Sequence, residues 1–448
     1  MKTMDQIKSV YFIGIGGIGM SALARYFKYL GKNVAGYDKT ATQLTGELES
    51  IGIDIHYEDS IELVSNEYKH KESTIVVVTP AIPVDHLEWL YFKESRFEIL
   101  KRSEVLGIIT KDTYCFAVAG THGKTTTTSI LGHLLFESGV DVTAFVGGVV
   151  ENYQTNLIGS GTTVTVVEAD EFDRSFLRLS PNVACVNSTE ADHLDIFGTA
   201  DEMLKSFKEF ADKVVDDKKL YINESVDFNG VKVGFDEGCS FRIVNIKVDN
   251  GWYCFDIITP KEVIEDVRFG LPGHHNLSNA LVAFAMAYDY GVEKDLLVAA
   301  LASFKGVRRR FSYKVRRDDF VFIDDYAHHP TEIKAVSQAV HEMYGDKKIL
   351  AIFQPHLYSR TNDFMDEFAQ ALSTFENVIL MDIYPAREAP IEGVTSEKLL
   401  SLVTSKGKEL VAKNALVDYV KSFNPEVLVT IGAGDIGEMI NTLKAELE

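Results

Sequence analysis

Cysteine is scarce in this 448-residue chain: four residues, at positions 115, 185, 239 and 254, without a Cys-x-x-Cys pair among them. A disulfide scaffold and a cysteine metal cage are thereby excluded. Cys115 and Cys185 fall in apolar runs that read as buried strands, so reduced core thiols are expected. Proline numbers only ten, and with 46% apolar and 25% charged residues the composition is globular. Basic residues are in deficit, 45 against 66 acidic, for a formal charge of −21. That argues against a nucleic-acid partner or an acidic membrane surface. An anionic small substrate stays possible, because one glycine loop and a few arginines can hold phosphate on an acidic protein. Long hydrophobic runs are missing too. The most apolar stretch, residues 10–24, is broken by glycines and runs into Arg25, unlike a signal-sequence core. No other segment approaches the length of a bilayer span. The expectation is a soluble cytoplasmic protein without membrane insertion, monomer or homodimer, with two to four domains.

What is present is organised around one stretch. The apolar run Cys115 to Ala119 leads into Gly120-Thr121-His122-Gly123-Lys124-Thr125-Thr126, and a helical pattern (Ile130, Leu131, Leu134, Leu135) follows. Strand, glycine turn and helix in that order make an anion site. The glycines let the backbone approach an oxyanion, the first helical N–H groups point at it, and the helix dipole favours its charge. Lys124 can then reach the outer phosphates and the Thr125 hydroxyl can ligate Mg²⁺. The general pattern has a glycine six residues before the lysine; Val118 stands there, so the loop is a shortened Gly-x-x-Gly-Lys-Thr. Its residues Gly120, Thr121, His122 and Gly123, with Lys124, Thr125 and Thr126, are the expected contacts of a nucleoside triphosphate.

Upstream, a strand over residues 7–15 opens into Gly14-Ile15-Gly16-Gly17-Ile18-Gly19, with a helix from Met20 and a second strand ending at Asp38. Alone this is a dinucleotide-type loop, fitting any nucleotide diphosphate laid on a helix N-terminus. Asp38 reads equally as a ribose ligand or a solvated strand end. Downstream of the central loop, strands at 163–167 and 182–186 end in Glu168-Ala169-Asp170-Glu171 and in Asn187 to His193. Ligands gather beyond the carboxyl ends of strands in doubly wound sheets, so these groups should converge on the loop phosphates, Glu168 and His193 beside one Mg²⁺. Residues 231–258 alternate as an antiparallel patch with a turn at Asp249-Asn250-Gly251. Arg308-Arg309-Arg310 marks the passage to a third unit, where Arg309 and its neighbours are read as a phosphate clamp rather than a solvated basic face. That unit again alternates strands with helices.

Eight motifs now stand in order: Gly14 to Ser21, Gly120 to Thr127, Glu168 to Glu171, Glu190 to His193, Leu271-Pro272-Gly273, Asp324 to Ile333, Phe353 to Thr361, and Tyr384 to Glu388. Together they resemble the Mur ligase family along essentially the whole chain. The resemblance implies an α/β protein of three domains. A Rossmann-like UDP-sugar-binding domain would span 1–106. A central P-loop ATPase domain, mostly parallel with a small antiparallel patch, would span 107–312. A Rossmann-like amino-acid-binding domain would span 313–448. It also implies the reaction: ATP-dependent ligation of L-alanine to the lactoyl carboxylate of UDP-N-acetylmuramate through an acyl phosphate, with Mg²⁺, in peptidoglycan synthesis. Lys124, Glu168 and His193 would be the catalytic group, with Thr125 and Glu168 at one Mg²⁺ and His193 at a second. Gly14, Gly16, Gly17, Ile18 and Gly19, then Met20, Ser21 and Asp38, would hold the UDP sugar. His275 and Asn276 match adenine contacts, and Asp324 lies where the ATP ribose is met. Tyr326, His328, His356 and Arg360 match the alanine pocket. Departures are His274 and Leu357, where Arg is common, and Ala327, where Gly is frequent. Sister ligases carry a carbamylated lysine; Lys205 and Lys208 fall in that neighbourhood, or lie on a solvated helix face.

Three rivals compete. An NAD-dependent oxidoreductase would use the first glycine loop and Asp38 but leaves Lys124 and Glu168 without a task. A non-catalytic nucleotide switch would bind without turnover. Within the family, a recycling ligase would attach a preformed tripeptide to UDP-N-acetylmuramate; the unaltered Gly16-Gly17-Ile18-Gly19-Met20-Ser21 loop favours the alanine reading.

Overall fold

The computed structural model of the protein describes residues 2–189, 199–214, 216, 219–249, 251–386 and 388–447. They form two compact units: Met1–Val244 with Asp256–Glu265 and Ser278–Phe304, and Asn245–Phe255 with Asp266–Leu277 and Lys305–Glu448.

The first unit holds two sheets. In the amino-terminal one, strands run in the order Asp54–His56, Asn33–Tyr37, Ser9–Ile13, Thr74–Val78, Glu98–Lys101, all parallel. From the central strand Ser9–Ile13 the chain winds outward first to one side and then to the other. The glycine loop 14–19 therefore leaves the sheet at the point where winding reverses, with a crevice between diverging connections. The helix Ile18–Tyr29 follows, buried over Met20–Phe27.

In the second sheet the strands Val231–Gly234, Leu220–Asn223, Val183–Val186, Tyr114–Ala119, Val164–Glu168 and Val142–Val150 pair parallel, and Thr155–Ile158 closes the edge antiparallel. Tyr114–Ala119 is central and apolar on both faces, as a strand sandwiched between helices must be. The expected antiparallel patch starts later than its alternation suggested. Val231–Gly234 pairs parallel with both neighbours, because the links before and after it are long enough to retrace a four-residue strand. Phe241–Asp249 and Trp252–Ile258 are neighbours joined by two residues, which permits only antiparallel pairing. One apolar core runs through both sheets of the first unit, from Phe12, Leu23 and Phe27 to Phe145, Leu157 and Val167. Tyr26 meets Phe145 edge-on at 5.2 Å. Each such side chain contributes roughly 1.5–3 kcal/mol by leaving water, so the amino-terminal helix is seated firmly on the second sheet.

In the second unit the strands run Ser312–Arg316, Val321–Asp325, Val427–Ile431, Ile349–Phe353, Asn377–Leu380, Gly407–Leu410, parallel except for the first pair. The edge strand Ser312–Arg316 has no counterpart in the sequence reading; its five residues carry two basic and one apolar-branched side chain and lack a clean alternation. Helices cover a core of Phe322, Leu350, Ile352, Leu428 and Ile436. The cysteines are free, and burial pushes the Cys115 and Cys185 thiols up to about 12, so they act as small apolar side chains. Among the described residues no helix is long and apolar enough to cross a membrane.

Candidate active site

The central loop takes the form expected of it. Helix Lys124–Glu137 starts at Gly123, whose φ of +80° suits glycine, and a Cβ there would meet Asn279 Oδ1 at 2.4 Å. Asn279 and Asn187 bracket the loop from the far side. Thr127 Oγ1 donates to Asn279 Oδ1 at 3.2 Å and accepts from Asn187 Nδ2 at 2.8 Å. Thr121 pairs with Ser188, hydroxyl to hydroxyl, at 2.8 Å. His122 is exposed at the turn, and Thr125 and Thr126 are buried in the first helical turn.

Lys124 folds back over its own loop. Its ammonium donates to Gly120 O at 2.6 Å and to Glu171 Oε1 at 2.8 Å. Thr125 Oγ1 donates to Glu168 Oε2 at 3.2 Å, and Gly147 N donates to the other Glu168 oxygen at 2.6 Å. A Cβ on Gly147 would lie 2.8 and 2.9 Å from those two oxygens, so a side chain there would displace this carboxylate. His193 lies outside the described residues. Lys205 and Lys208 are both on the exposed face of helix Ala200–Ala211.

A cavity of about 360 Å³ joins this centre to the amino-terminal glycine loop. Gly17, Ile18, Gly19 and Met20 form one wall and Gly147, Glu168 and Asp170 another. Arg102 stands between them, 3.6 Å from Asp170 and packed against Gly19. Asp38, just past the second strand, holds the amino-terminal glycine loop: its Oδ2 accepts from Gly16 N at 2.7 Å. Ser21 is fully buried, its hydroxyl donating to Ile18 O at 3.0 Å.

In the second unit, Tyr326, His328, His356 and Arg360 come together as a chain of contacts. Ring centroids are 5.2 Å apart for Tyr326 and His328 and 6.5 Å for His328 and His356. Arg360 Nη1 donates to His356 Nδ1 at 3.4 Å. Burial, then the charge of Arg360, then His328 lower the His356 pKa, so its ring is neutral near pH 7. Arg309 is a hub. It stacks on Tyr326 at 4.6 Å, lies 3.8 Å from the buried Asp324, and donates to Gly432 O at 2.5 Å. Asn276 is buried with its amide on Pro272 O at 2.7 Å, and the His275 ring lies against Gly273.

Sequence reasoning missed Glu171 as the partner of Lys124, although it stood in the acidic cluster. It also missed Arg102, Gly147, Asn156 and Asn279, and it gave no role to Tyr384, whose ring stacks on His356 at 5.8 Å. The cluster around Glu171 and the motif Tyr384 to Glu388 were usable signals; Arg102, Gly147, Asn156 and Asn279 stand in no local pattern.

Among the described residues no group of three or more His, Cys, Asp and Glu could hold a metal ion. What Thr125 and Glu168 offer is two hard oxygen ligands, which suits Mg²⁺, an ion that takes one or two carboxylates and fills its shell with phosphate and water.

Family models described as the Mur ligase family catalytic domain, middle domain and glutamate ligase domain match residues 9–114, 118–287 and 309–434. A protein of Flavobacterium psychrophilum named UDP-N-acetylmuramate–L-alanine ligase is 61% identical over 445 residues, 99% of each chain. The solved UDP-N-acetylmuramate-alanine ligase of Thermotoga maritima superimposes with a TM-score of 0.81 at 27% identity, covering 98% of this chain and 99% of that one. The murein peptide ligase of Psychrobacter arcticus shares the fold, with a TM-score of 0.62 at 22% identity over 98% of each chain.

Proposed function

The chain belongs to the Mur ligase family, and from that premise we infer that it joins L-alanine to the carboxylate of UDP-N-acetylmuramate in peptidoglycan synthesis, with ATP as energy source. The observation that carries this is 61% identity, sustained over 99% of both chains, to a ligase of that name. The recycling alternative is not favoured, since relatives 60–61% identical over 99% of the chain carry the alanine-ligase name.

The chemistry gives each part of the site a task. A carboxylate is a poor acyl donor, so the lactoyl carboxylate attacks the γ-phosphate of ATP and becomes an acyl phosphate. The uncharged amine of alanine then attacks the carbonyl and phosphate leaves. Two anions must meet in the first step, which makes charge neutralisation the main work of the protein. The amino end of helix Lys124–Glu137 receives the phosphates, and Lys124 exchanges Gly120 O and Glu171 for β- and γ-oxygens. Mg²⁺ would be held by Thr125 and Glu168, and it supplies neutralising charge at the transferring phosphoryl group. The cavity between Gly17–Met20 and Glu168 takes the sugar acid, with its diphosphate on the glycine loop. In the second unit, Arg360 holds the alanine carboxylate beside Tyr326, His328 and the neutral His356, and His275, Asn276, Arg309 and Asp324 serve the nucleotide.

The test is ADP release by the purified protein with Mg²⁺, ATP and UDP-N-acetylmuramate across a panel of amino acids and the tripeptide L-alanyl-γ-D-glutamyl-meso-diaminopimelate. Release stimulated most by L-alanine, with amide product formed, is expected. Release driven better by the tripeptide, or none at all, would overturn the reading.

A further inference from the structure

Asn156 sits on the edge strand Thr155–Ile158, within none of the eight motifs, and is fully buried. Its Nδ2 donates to two groups in the first turn of the helix that follows the amino-terminal glycine loop: the carbonyl of Ile18, and Ser21 Oγ at 2.9 Å. The carbonyl can only accept, so the amide orientation is set by its partner. Asn156 Oδ1 meanwhile is buried and has no hydrogen-bond partner among the described residues. An apolar side chain of similar volume would fill this place without leaving a polar atom stranded. Packing alone therefore does not account for an amide here; the two donated bonds do.

Those bonds have a geometric consequence. Thr155–Ile158 pairs antiparallel with Val142–Val150, Phe145 opposite Leu157. Val142–Val150, the first strand of this hairpin, carries Gly147, whose N–H donates to Glu168 at 2.6 Å. One hairpin thus grips the glycine loop through Asn156 and the phosphate-side carboxylate through Gly147. Ile18, Gly147 and Glu168 all line the same cavity.

We propose that Asn156 is a positioning residue for the sugar-nucleotide substrate: by tethering Ile18 O and Ser21 it keeps the diphosphate cradle at a set distance from Glu168. This rests on the reading that the cavity takes the UDP sugar. Asn156→Leu keeps the burial and removes both donors without adding charge; Ser21→Ala removes one acceptor. For Asn156→Leu the KM for UDP-N-acetylmuramate should rise about tenfold or more, with the KM values for ATP and alanine within about twofold of wild type. Ser21→Ala should raise the same KM about threefold. Calorimetric titration with UDP-N-acetylmuramate alone should weaken in parallel. Equal binding by wild type and both variants overturns the inference and leaves the cavity reading intact. So does a common shift of all three KM values with a lowered melting temperature, the mark of a purely structural role. Should Asn156→Leu not fold, an unchanged sugar KM in Ser21→Ala overturns it. A wild type that does not bind UDP-N-acetylmuramate removes the cavity reading itself.

Discussion

Lys124 Nζ lies 2.8 Å from the carboxylate of Glu171, a side chain only 1% exposed. The lysine proposed to meet the triphosphate is thus already neutralised by a buried acid, and the two are coupled in stability. Removing the lysine strands the acid. Lys124→Ala should abolish ADP release and also lower stability by on the order of 3 kcal/mol, the cost of an uncompensated buried charge. The double variant Lys124→Ala/Glu171→Gln should recover most of that stability and none of the activity. Thermal melts beside ADP assays check this, and recovery of activity in the double variant would refute the role given to Lys124.

Gly147 offers a test of Glu168 that leaves the carboxylate in place. Its Cβ would meet both oxygens at 2.8–2.9 Å, so Gly147→Ala must move the Glu168 side chain. Turnover should fall roughly 100-fold, the scale of losing one charge-stabilising group, and the Mg²⁺ concentration for half-maximal rate should rise. An unchanged Mg²⁺ titration would detach Glu168 from the metal.

Arg360 is placed to hold a carboxylate beside a neutral His356. Arg360→Ala should raise the alanine KM about 30-fold, some 2 kcal/mol for a lost charge-assisted pair, with sugar and ATP values little changed. Equal losses across all three substrates would argue for collapse of the second unit instead.

A buried acid in the amino-terminal sheet predicts a pH effect. Burial raises the Glu88 carboxyl to about 7 despite the Tyr11 hydroxyl bonded to it at 2.8 Å. A proton held more tightly in the folded state stabilises it fully below the unfolded value near 4.5, and that contribution is lost as pH rises through about 7. His56 and His86, both lowered by burial, act in the opposite sense as pH falls below 6.5. The informative comparison is therefore with Glu88→Gln. The variant should gain on the wild type by on the order of 3 kcal/mol between about pH 5 and pH 8, measured by urea denaturation. A constant difference across that range would show that Glu88 titrates normally.

How much of this could be read from the chain alone follows from distance along it. Gly120 to Thr126 is one contiguous stretch whose strand, turn and helix are each written in neighbouring residues, so this backbone form was legible before folding. Tyr326 to His328 and His356 to Arg360 were legible as two separate loops. Their meeting came from parallel strands Val321–Asp325 and Ile349–Phe353 ending at the same edge, on either side of Val427–Ile431. The antiparallel patch was misjudged at its start because alternation marks a strand with one exposed face and says nothing of the direction of its neighbour.

Composition, glycine spacing and apolar period were enough to establish an α/β chain with a strand, glycine turn and helix at residues 114–137, since backbone conformation and helix polarity are local properties. Folding alone chose the company those residues keep. Glu171 was set against Lys124 over 47 positions, Gly147 against Glu168 over 21, and Asn156 against Ile18 over 138. Such pairs are created by sheet register and by a core shared between two sheets. Neither imposes a periodic constraint on the residues involved, so neither leaves a trace in the order of the amino acids.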